Sequence, residues 1–488
     1  MFGVDFIVVG LFILISLWYI LFKHPRDYVY VLPFAMAFFF YIQVGTRWTP
    51  AKVVPIILIV GILIRGAIDR DCRRIFRMPG WLILFLSILV ISTLFNYRQL
   101  SRMPRAMLGA FQSPELRTFI QLISYLVSLI FFLIAAYSLR RPENGKRLIT
   151  LYIIVSTFLC AYGVYQLMAY YTGLPFRGIM RGYGVESMGL FSFQGMLIPR
   201  LNSLAPEPKR LVVLLLPSIA ILFLIRARLV RQFRGGIFGW WNFMLHCFVF
   251  TFTFSTSGFL AFGLLLPTLA LLLHQLGTLR LGRIVLVMIC VALVVILGVA
   301  YTLQVSDIQG LFYTRTIASF EKKRLEHYVL SYLQTNPQHL LLGMGPGNYN
   351  FYVSKPGYDI TSATWGLQVL SSGILTLIVD VGIIGLGAVF AATLGVMRQS
   401  IRLHRWLKGN SLLRENILLR EILLVASAAV TAAVCLMPFL FFAFRFLMLF
   451  LGILVACNRM VYIFSTHQAS PIRPPSVFRF RNDRSVMQ

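Results

Sequence analysis

Residues 6–22 read FIVVGLFILISLWYILF, a run without one charged side chain, and Lys23-His24-Pro25-Arg26 closes it. A bilayer core about 30 Å thick needs about 20 apolar residues per crossing helix, so this run is of spanning length. No basic stretch precedes it and no small-residue cleavage site follows, which predicts a first membrane helix rather than a cleaved signal peptide.

Working outward from that run, the same alternation continues to the far end of the chain. Apolar stretches bounded by charge predict about thirteen helices. Their limits are 5–22, 28–45, 51–68, 79–96, 116–138, 148–171, 211–225, 237–254, 258–274, 284–303, 367–397, 421–441 and 443–463. A tight hairpin at Ser255-Thr256-Ser257 separates the eighth from the ninth. The expected fold class is an all-α integral membrane protein with 12–14 transmembrane helices. Composition agrees: 58% of the residues are hydrophobic and only 12% charged. A soluble chain carries about 25% charged residues, so two or three aqueous domains are excluded.

The net charge of +29 has two readings. Most of it orients the helices, because Lys and Arg accumulate in short cytoplasmic loops. One alternate set of loops holds Lys23 to Arg26, Arg70 to Arg77, Arg140 to Arg147, Arg226 to Arg234, Arg280 with Arg283, Arg398 to Arg420, and the arginines of the tail. With that set cytoplasmic, the N-terminus lies outside and the tail inside, which requires an odd number of helices. The rest of the charge is available to an acidic substrate. Nucleic acid is a poor partner, because no large basic soluble module exists to hold it. The six cysteines have no paired spacing, so neither a disulfide framework nor a zinc site is indicated.

Two outward loops are long, 172–210 and 304–366, and unstructured loops of that size are uncommon without a purpose. They divide the chain into N-terminal helices (1–171), a first loop (172–210), central helices (211–303), a second loop (304–366), C-terminal helices (367–464) and a basic tail (465–488) read as disordered. A third outer segment, 97–115, carries Arg98, Arg102 and Arg105 and reads as a short interfacial helix.

The first loop ends Arg200-Leu201-Asn202-Ser203-Leu204-Ala205-Pro206-Glu207-Pro208-Lys209-Arg210. Prolines on both sides of Glu207 make the segment rigid and non-helical, fixing a carboxylate and three cations at the membrane surface. The plainer alternative is that Glu207 pairs with Lys209 or Arg210 and caps the next helix. The second loop carries Arg315 and Glu321-Lys322-Lys323-Arg324, then an amphipathic helix over 321–335 with Leu325, Tyr328, Val329 and Tyr332 on one face. Asn336-Pro337 stops it, and Gly343, Gly345 and Gly347 follow with Asn348, a run that lets backbone approach another surface closely. The plainer alternative for the charges at 321–324 is a solvated face. Asp380 lies inside an apolar run, which marks either a functional group or a structural bond to a neighbouring helix. Arg445 is expected to snorkel to the outer surface.

Taken in order, these pieces resemble the O-antigen ligase/polymerase superfamily of bacterial surface-polysaccharide assembly. Arg200-x5-Pro206-Glu207-Pro208 resembles its first periplasmic motif, with Ser203-Leu204 and Glu207-Pro208 matching a "Ser-Leu…Glu-Pro" box. Phe254-Ser255-Thr256-Ser257-Gly258 resembles a Thr-x-Ser-Arg-Gly signature, with Ser257 at the arginine's place. Arg324, the helix after it and Leu342 to Tyr349 resemble the end of the large periplasmic loop. Ser371-Ser372-x9-Gly382-x-x-Gly385 resembles a His-(Asn/Ser/Gln)-x9-Gly-x-x-Gly motif.

The resemblance covers about residues 150–400 and implies a GT-C-like membrane glycosyltransferase of the bacterial inner membrane with two large periplasmic loops. It implies a polymerase of undecaprenyl-pyrophosphate-linked repeat units, making O-antigen or exopolysaccharide at the periplasmic face. The histidine of the last motif is Ser371 here, and a serine of ordinary pKa takes no proton at neutral pH unless another base activates it. That departure favours a polymerase over a ligase and makes Glu207 the candidate general base, ahead of His327 and Asp359.

Arg200 and Arg324 are the expected diphosphate-stabilising residues. Arg181, Arg210, Arg177, Gly345, Gly347, Asn348 and Ser371 are the expected substrate-binding set. Arginine suits a diphosphate because it stays charged and donates bidentate hydrogen bonds. No metal and no cofactor are expected, because the outer loops lack a cluster of Asp, Glu and His. Membrane lipids are the remaining partner, with room for a chain-length regulator. The competing readings are a ligase that transfers finished glycan to lipid A-core or protein, and a lipid-linked glycan transporter or flippase without chemistry.

Overall fold

The computed structural model describes residues 3–38, 40, 42–44, 46–68, 79–100, 114–176, 190–193, 196–277, 325–353, 370, 372–409 and 414–467. Nine of the described helices are long and apolar enough to cross a bilayer. With every backbone polar group in hydrocarbon needing an internal partner, helices are the expected spanning form. The protein is a helical, multi-pass membrane protein.

The helices are α1 (Gly3–Phe22), α2 (Leu32–Ala37), α3 (Pro50–Ile68), α4 (Gly80–Leu100), α5 (Pro114–Ser138) and α6 (Pro142–Thr172). They continue with α7 (Pro208–Arg226), α8 (Trp240–Phe252) and α9 (Thr256–Gln275). The short helices α10 (Leu325–Thr335), α11 (Pro337–Leu342) and α12 (Tyr349–Tyr352) precede the spanning helices α13 (Gly373–Gly409), α14 (Arg414–Leu436) and α15 (Ala443–His467). Among the described residues the strands are two antiparallel hairpins, β1 (Ile42–Val44) with β2 (Thr46–Trp48), and β3 (Leu190–Phe193) with β4 (Met196–Pro199).

Three helices form the centre. The apolar windows of α7 and α15 are each 83% buried and that of α14 78%, against 17% for α1 at the periphery. Close approach uses small residues: a Cβ on Gly452 of α15 would stand 2.6 Å from the Phe132 carbonyl oxygen of α5. Peripheral side chains such as Phe6, Leu14 and Leu21 are exposed, as a lipid-facing surface requires.

The expected helix 28–45 is not formed. Residues Pro25–Val31 make a 3-10 helix, α2 adds six residues, and the chain then becomes extended. Helices α1 and α3 nonetheless run parallel. The Arg65 guanidinium near the end of α3 donates to the carbonyls of Lys23 at 2.7 Å and Leu21 at 3.1 Å, and to that of Ile20, at the end of α1. The broken segment therefore carries the chain back from the end of α1 to the start of α3. Irregular backbone at membrane depth is tolerated where protein surrounds it. Tyr28, Val29, Leu32, Ala35 and Ala37 are all fully buried.

Other limits shift as well. The span expected at 237–254 is the thirteen-residue α8, and the hairpin after it is present, with Ser255 accepting from Gly258 N at 3.3 Å to cap α9. The helix expected at 367–397 is α13, 37 residues long and broken at Gly382 (φ 72°, ψ 178°). The expected helix 284–303, residues 101–113 of the outer segment and the tail from 468 lie outside the described residues.

One buried imidazole is a cross-link between helices. His246 of α8 donates from Nδ1 to Asn242 O (2.8 Å), so its Nε2 accepts from Ser156 Oγ of α6 (2.9 Å), which meets Ser218 Oγ of α7 (2.9 Å). All three side chains are fully buried, and the network is a satisfied one.

Candidate functional site

The described parts of both long loops end at the same end of the bundle. Glu207 to Arg210 begin α7, Gly373 begins α13, and both meet the short link between α14 and α15. Ile374 N donates to Met437 O at 3.1 Å, and a Cβ on Gly373 would stand 2.8 Å from that carbonyl and from Phe441 Cα.

The end of the first loop is rigid because its neighbours bracket it. The Gln166 side chain of α6 accepts from Ser203 N at 2.7 Å and donates to Ser203 O at 3.0 Å. Ser203 Oγ donates to Leu159 O at 2.7 Å, and Leu201 N to Phe252 O at 2.9 Å. Ser203 sits at φ 52°, a left-handed conformation that this bracket holds. Arg200 lies in the same frame, its Nε and Nη2 donating to Thr253 O (3.3 Å) and Phe254 O (3.2 Å) past the end of α8. Arg200 therefore fastens loop to helix, and it remains half-buried. Glu207 is the N-cap residue of α7 without a side-chain capping bond. Its carboxylate pairs with Lys209 at 3.0 Å and reaches Arg210 at 4.0 Å.

Arg210 then enters a cleft lined by Met36, Phe38, Thr49, Val213, Phe442, Arg445 and Phe446. Its guanidinium lies 4.1 Å from the centre of the Phe442 ring, and Arg445 approaches the same ring at 6.0 Å. An aromatic face attracts cations, so one ring holds two like charges together. Lys52, in the first turn of α3, is a third cation, close enough to Arg445 that the two repel. Arg210 and Arg445 repel as well. Among the described residues neither the Lys52 ammonium nor the Arg445 guanidinium has a hydrogen bond or an ion pair. The repulsion among these like charges is costly where they are desolvated, and an anion beside Lys52 and Arg445 would relieve it. Apart from Thr49 and the two arginines, the walls of the cleft are apolar.

The second loop serves a different centre. Gly343, Gly345 and Gly347 all have positive φ (84°, 84° and 75°), which lets the loop fold onto the break in α13. A Cβ on Gly382 would stand 1.9 Å from the Leu341 carbonyl oxygen, so backbone lies on backbone there. The carbonyls before the break are satisfied from outside the helix: Met344 N donates to Val379 O (2.6 Å) and Ser92 Oγ to Asp380 O (2.8 Å). The Asp380 carboxylate accepts from Gly347 N at 2.8 Å and from the Tyr125 hydroxyl at 2.7 Å. Asn96 donates to Gly343 O at 3.0 Å, and Asn348 Nδ2 to Thr118 Oγ1. Gly345, Gly347 and Asn348 are thus buried within this lock. Asp380 ties helix α13 to loop and to α5, which is the structural one of its two expected uses.

Two residues of this centre have only weak signals in the sequence. Arg117 is one of two charges near the start of an apolar run, yet it is 8% exposed and lies 5.6 Å from the ring of Tyr349 and 5.9 Å from that of Phe351. Tyr125 is indistinguishable from a core aromatic until Asp380 is placed beside it. Helix α10 buries Leu325, Val329 and Leu333, while His327 is exposed. Asn336-Pro337 ends that helix by starting the next, with proline at its first position. His339 stacks on Tyr332 at 5.6 Å and meets Tyr352 at 4.9 Å, and burial lowers its imidazole below the usual value. Arg177, Arg181, Arg324, Asp359 and Ser371 lie outside the described residues, whereas Ser372 Oγ accepts from Leu375 N at 3.2 Å and caps α13. No group of three or more His, Cys, Asp or Glu suited to a metal occurs among the described residues.

No protein-family model matches the sequence, and no curated protein matches it.

Proposed function

We propose that this chain is a membrane glycosyltransferase that polymerises oligosaccharide repeat units carried on undecaprenyl pyrophosphate, at the periplasmic face of a bacterial inner membrane. The observation that carries the reading is the convergence of Arg210 and Arg445 on one ring in a cleft with mainly apolar walls, with Lys52 near enough to Arg445 to repel it. A polyprenyl diphosphate has the complementary halves, a doubly charged head and a long hydrocarbon chain.

In the reaction, an acceptor hydroxyl oxygen attacks the anomeric carbon of the donor sugar. The bond from that carbon to the diphosphate breaks, and undecaprenyl pyrophosphate leaves with the electron pair. The cations of the cleft stabilise the charge growing on the leaving oxygen, an effect worth about 3–4 kcal/mol for one well-placed donor. Glu207, beside Arg210, takes the hydroxyl proton and later passes it to water, a role worth about 10²–10⁴-fold in rate. Arginine and lysine fill the place a divalent ion holds in many soluble glycosyltransferases.

The test is purified protein in lipid nanodiscs supplied with a lipid-linked repeat unit, with product length followed on a gel. A ladder of increasing size is expected. A single transfer to lipid A-core would mark a ligase, and carrier binding without any new bond would mark a transporter. Either result overturns the polymerase reading.

A further inference from the structure

The link between α14 and α15 faces two ways. Phe442 and Arg445 look into the cationic cleft. Phe441 and Phe444 stack on each other, 7° from parallel, and both pack edge-on against Tyr125, at 5.6 and 5.9 Å. Tyr125 is the residue whose hydroxyl Asp380 holds, and Asp380 also holds the second loop through Gly347 N. A second route reaches the same link along α13, from Asp380 to Ile374, whose N–H binds Met437 O.

We infer that Asp380 and Tyr125 are positioning residues: by locking the second loop to α13 and α5, they set the α14–α15 link and so place Phe442 and Arg445 in the anion cleft. Coupling between sites travels through packed side chains and hydrogen bonds with little freedom, and every step here is of that kind. Asp380, Tyr125 and Phe444 are each no more than 1% exposed, so a change at the lock has no empty space to relax into. The Asp380 carboxylate is accounted for by Gly347 N, the Tyr125 hydroxyl and the Gln121 side chain, with the Arg117 charge nearby, and none of these is a substrate. The inference rests on the cleft being the phosphate site, and it adds that the second loop controls the cleft without touching the ligand.

The test measures binding of undecaprenyl phosphate to the full chain in nanodiscs. Arg445→Met examines the cleft itself, and if it binds as well as wild type, the proposed function loses its site. With that arm positive, Asp380→Ala and Tyr125→Leu are each expected to weaken binding by about tenfold, the size of effect typical of contacting, coupled positions. Asp380→Asn is expected to restore binding, since its amide oxygen accepts from Gly347 N–H and its NH2 group donates to the Tyr125 oxygen. The double variant Asp380→Ala/Arg445→Met is expected to bind no worse than Arg445→Met alone, because the lock acts through that side chain. Wild-type affinity in both lock variants, or losses that multiply in the double variant, would overturn the inference. If Asp380→Ala does not fold, the tyrosine decides: Tyr125→Phe keeps the ring against Phe441 and Phe444 and most of the affinity, whereas Tyr125→Leu loses it. Equal affinity of those two would overturn it.

Discussion

The Arg210 guanidinium lies 4.1 Å from the centre of the Phe442 ring, and Arg445 shares that ring from 6.0 Å. Lys52 is a third cation, near Arg445, and neither its ammonium nor the Arg445 guanidinium has an acceptor among the described residues. Arg445→Met and Lys52→Met should each weaken polyprenyl-phosphate binding by about tenfold or more, since a hydrogen bond to a charged group is worth about 1.5–3 kcal/mol. Because removal also relieves repulsion, both variants should gain thermal stability without ligand. Melting curves with and without undecaprenyl phosphate check both signs.

Glycan polymerisation by the purified protein should continue in excess EDTA. The cations proposed to meet the diphosphate are side chains, and chelation does not remove them. Complete loss of product on chelation, with recovery on adding magnesium, would show that a divalent ion does this work instead.

Gly382 and Gly395 belong to the same helix and should respond oppositely to alanine. At Gly382 the new Cβ would stand 1.9 Å from the Leu341 carbonyl in a left-handed conformation, and strain of that kind costs about 1–3 kcal/mol before the clash is counted. At Gly395 nothing lies within 4 Å, and alanine should gain about 0.5–1 kcal/mol of helix propensity. Thermal melts in one detergent compare them directly.

His339 is 3% exposed and burial lowers its pKa from the ordinary 6.5. The unfolded or undocked form therefore takes a proton first as pH falls. The stability contributed by the neutral imidazole is present above about 6.5, the unfolded value, and is lost as pH drops through the lower folded value. Hydrogen exchange over residues 336–345 should quicken below that pH in the wild type and change less in His339→Gln.

Much of the architecture was legible in the sequence because hydropathy measures the property that a bilayer selects. Helices α1, α3, α4, α5, α6, α7, α9, α14 and α15 lie where the apolar runs put them, with ends displaced by no more than about two helical turns. The run at 28–45 misled for a physical reason: hydropathy scores the side chains and ignores the backbone. Proline at positions 25 and 33 and the walls supplied by α1, α3, α5 and α6 allow that segment to pass the bundle without one continuous helix.

The order of residues alone establishes that the chain spans a membrane many times and carries proline- and glycine-bearing segments between its helices. Each of those properties is local, set by a residue's own side chain and its nearest neighbours. The packing of the folded chain is what brings Arg210 and Arg445 to one ring in one cleft with Lys52 near Arg445, from three helices far apart in the chain, and what ties Arg200 to the end of α8. The same packing brings Asp380 to Tyr125 and Gly347. Electrostatic and hydrogen-bond partners are chosen by distance in space, and packing of α7, α14 and α15 sets those distances after the helices have formed.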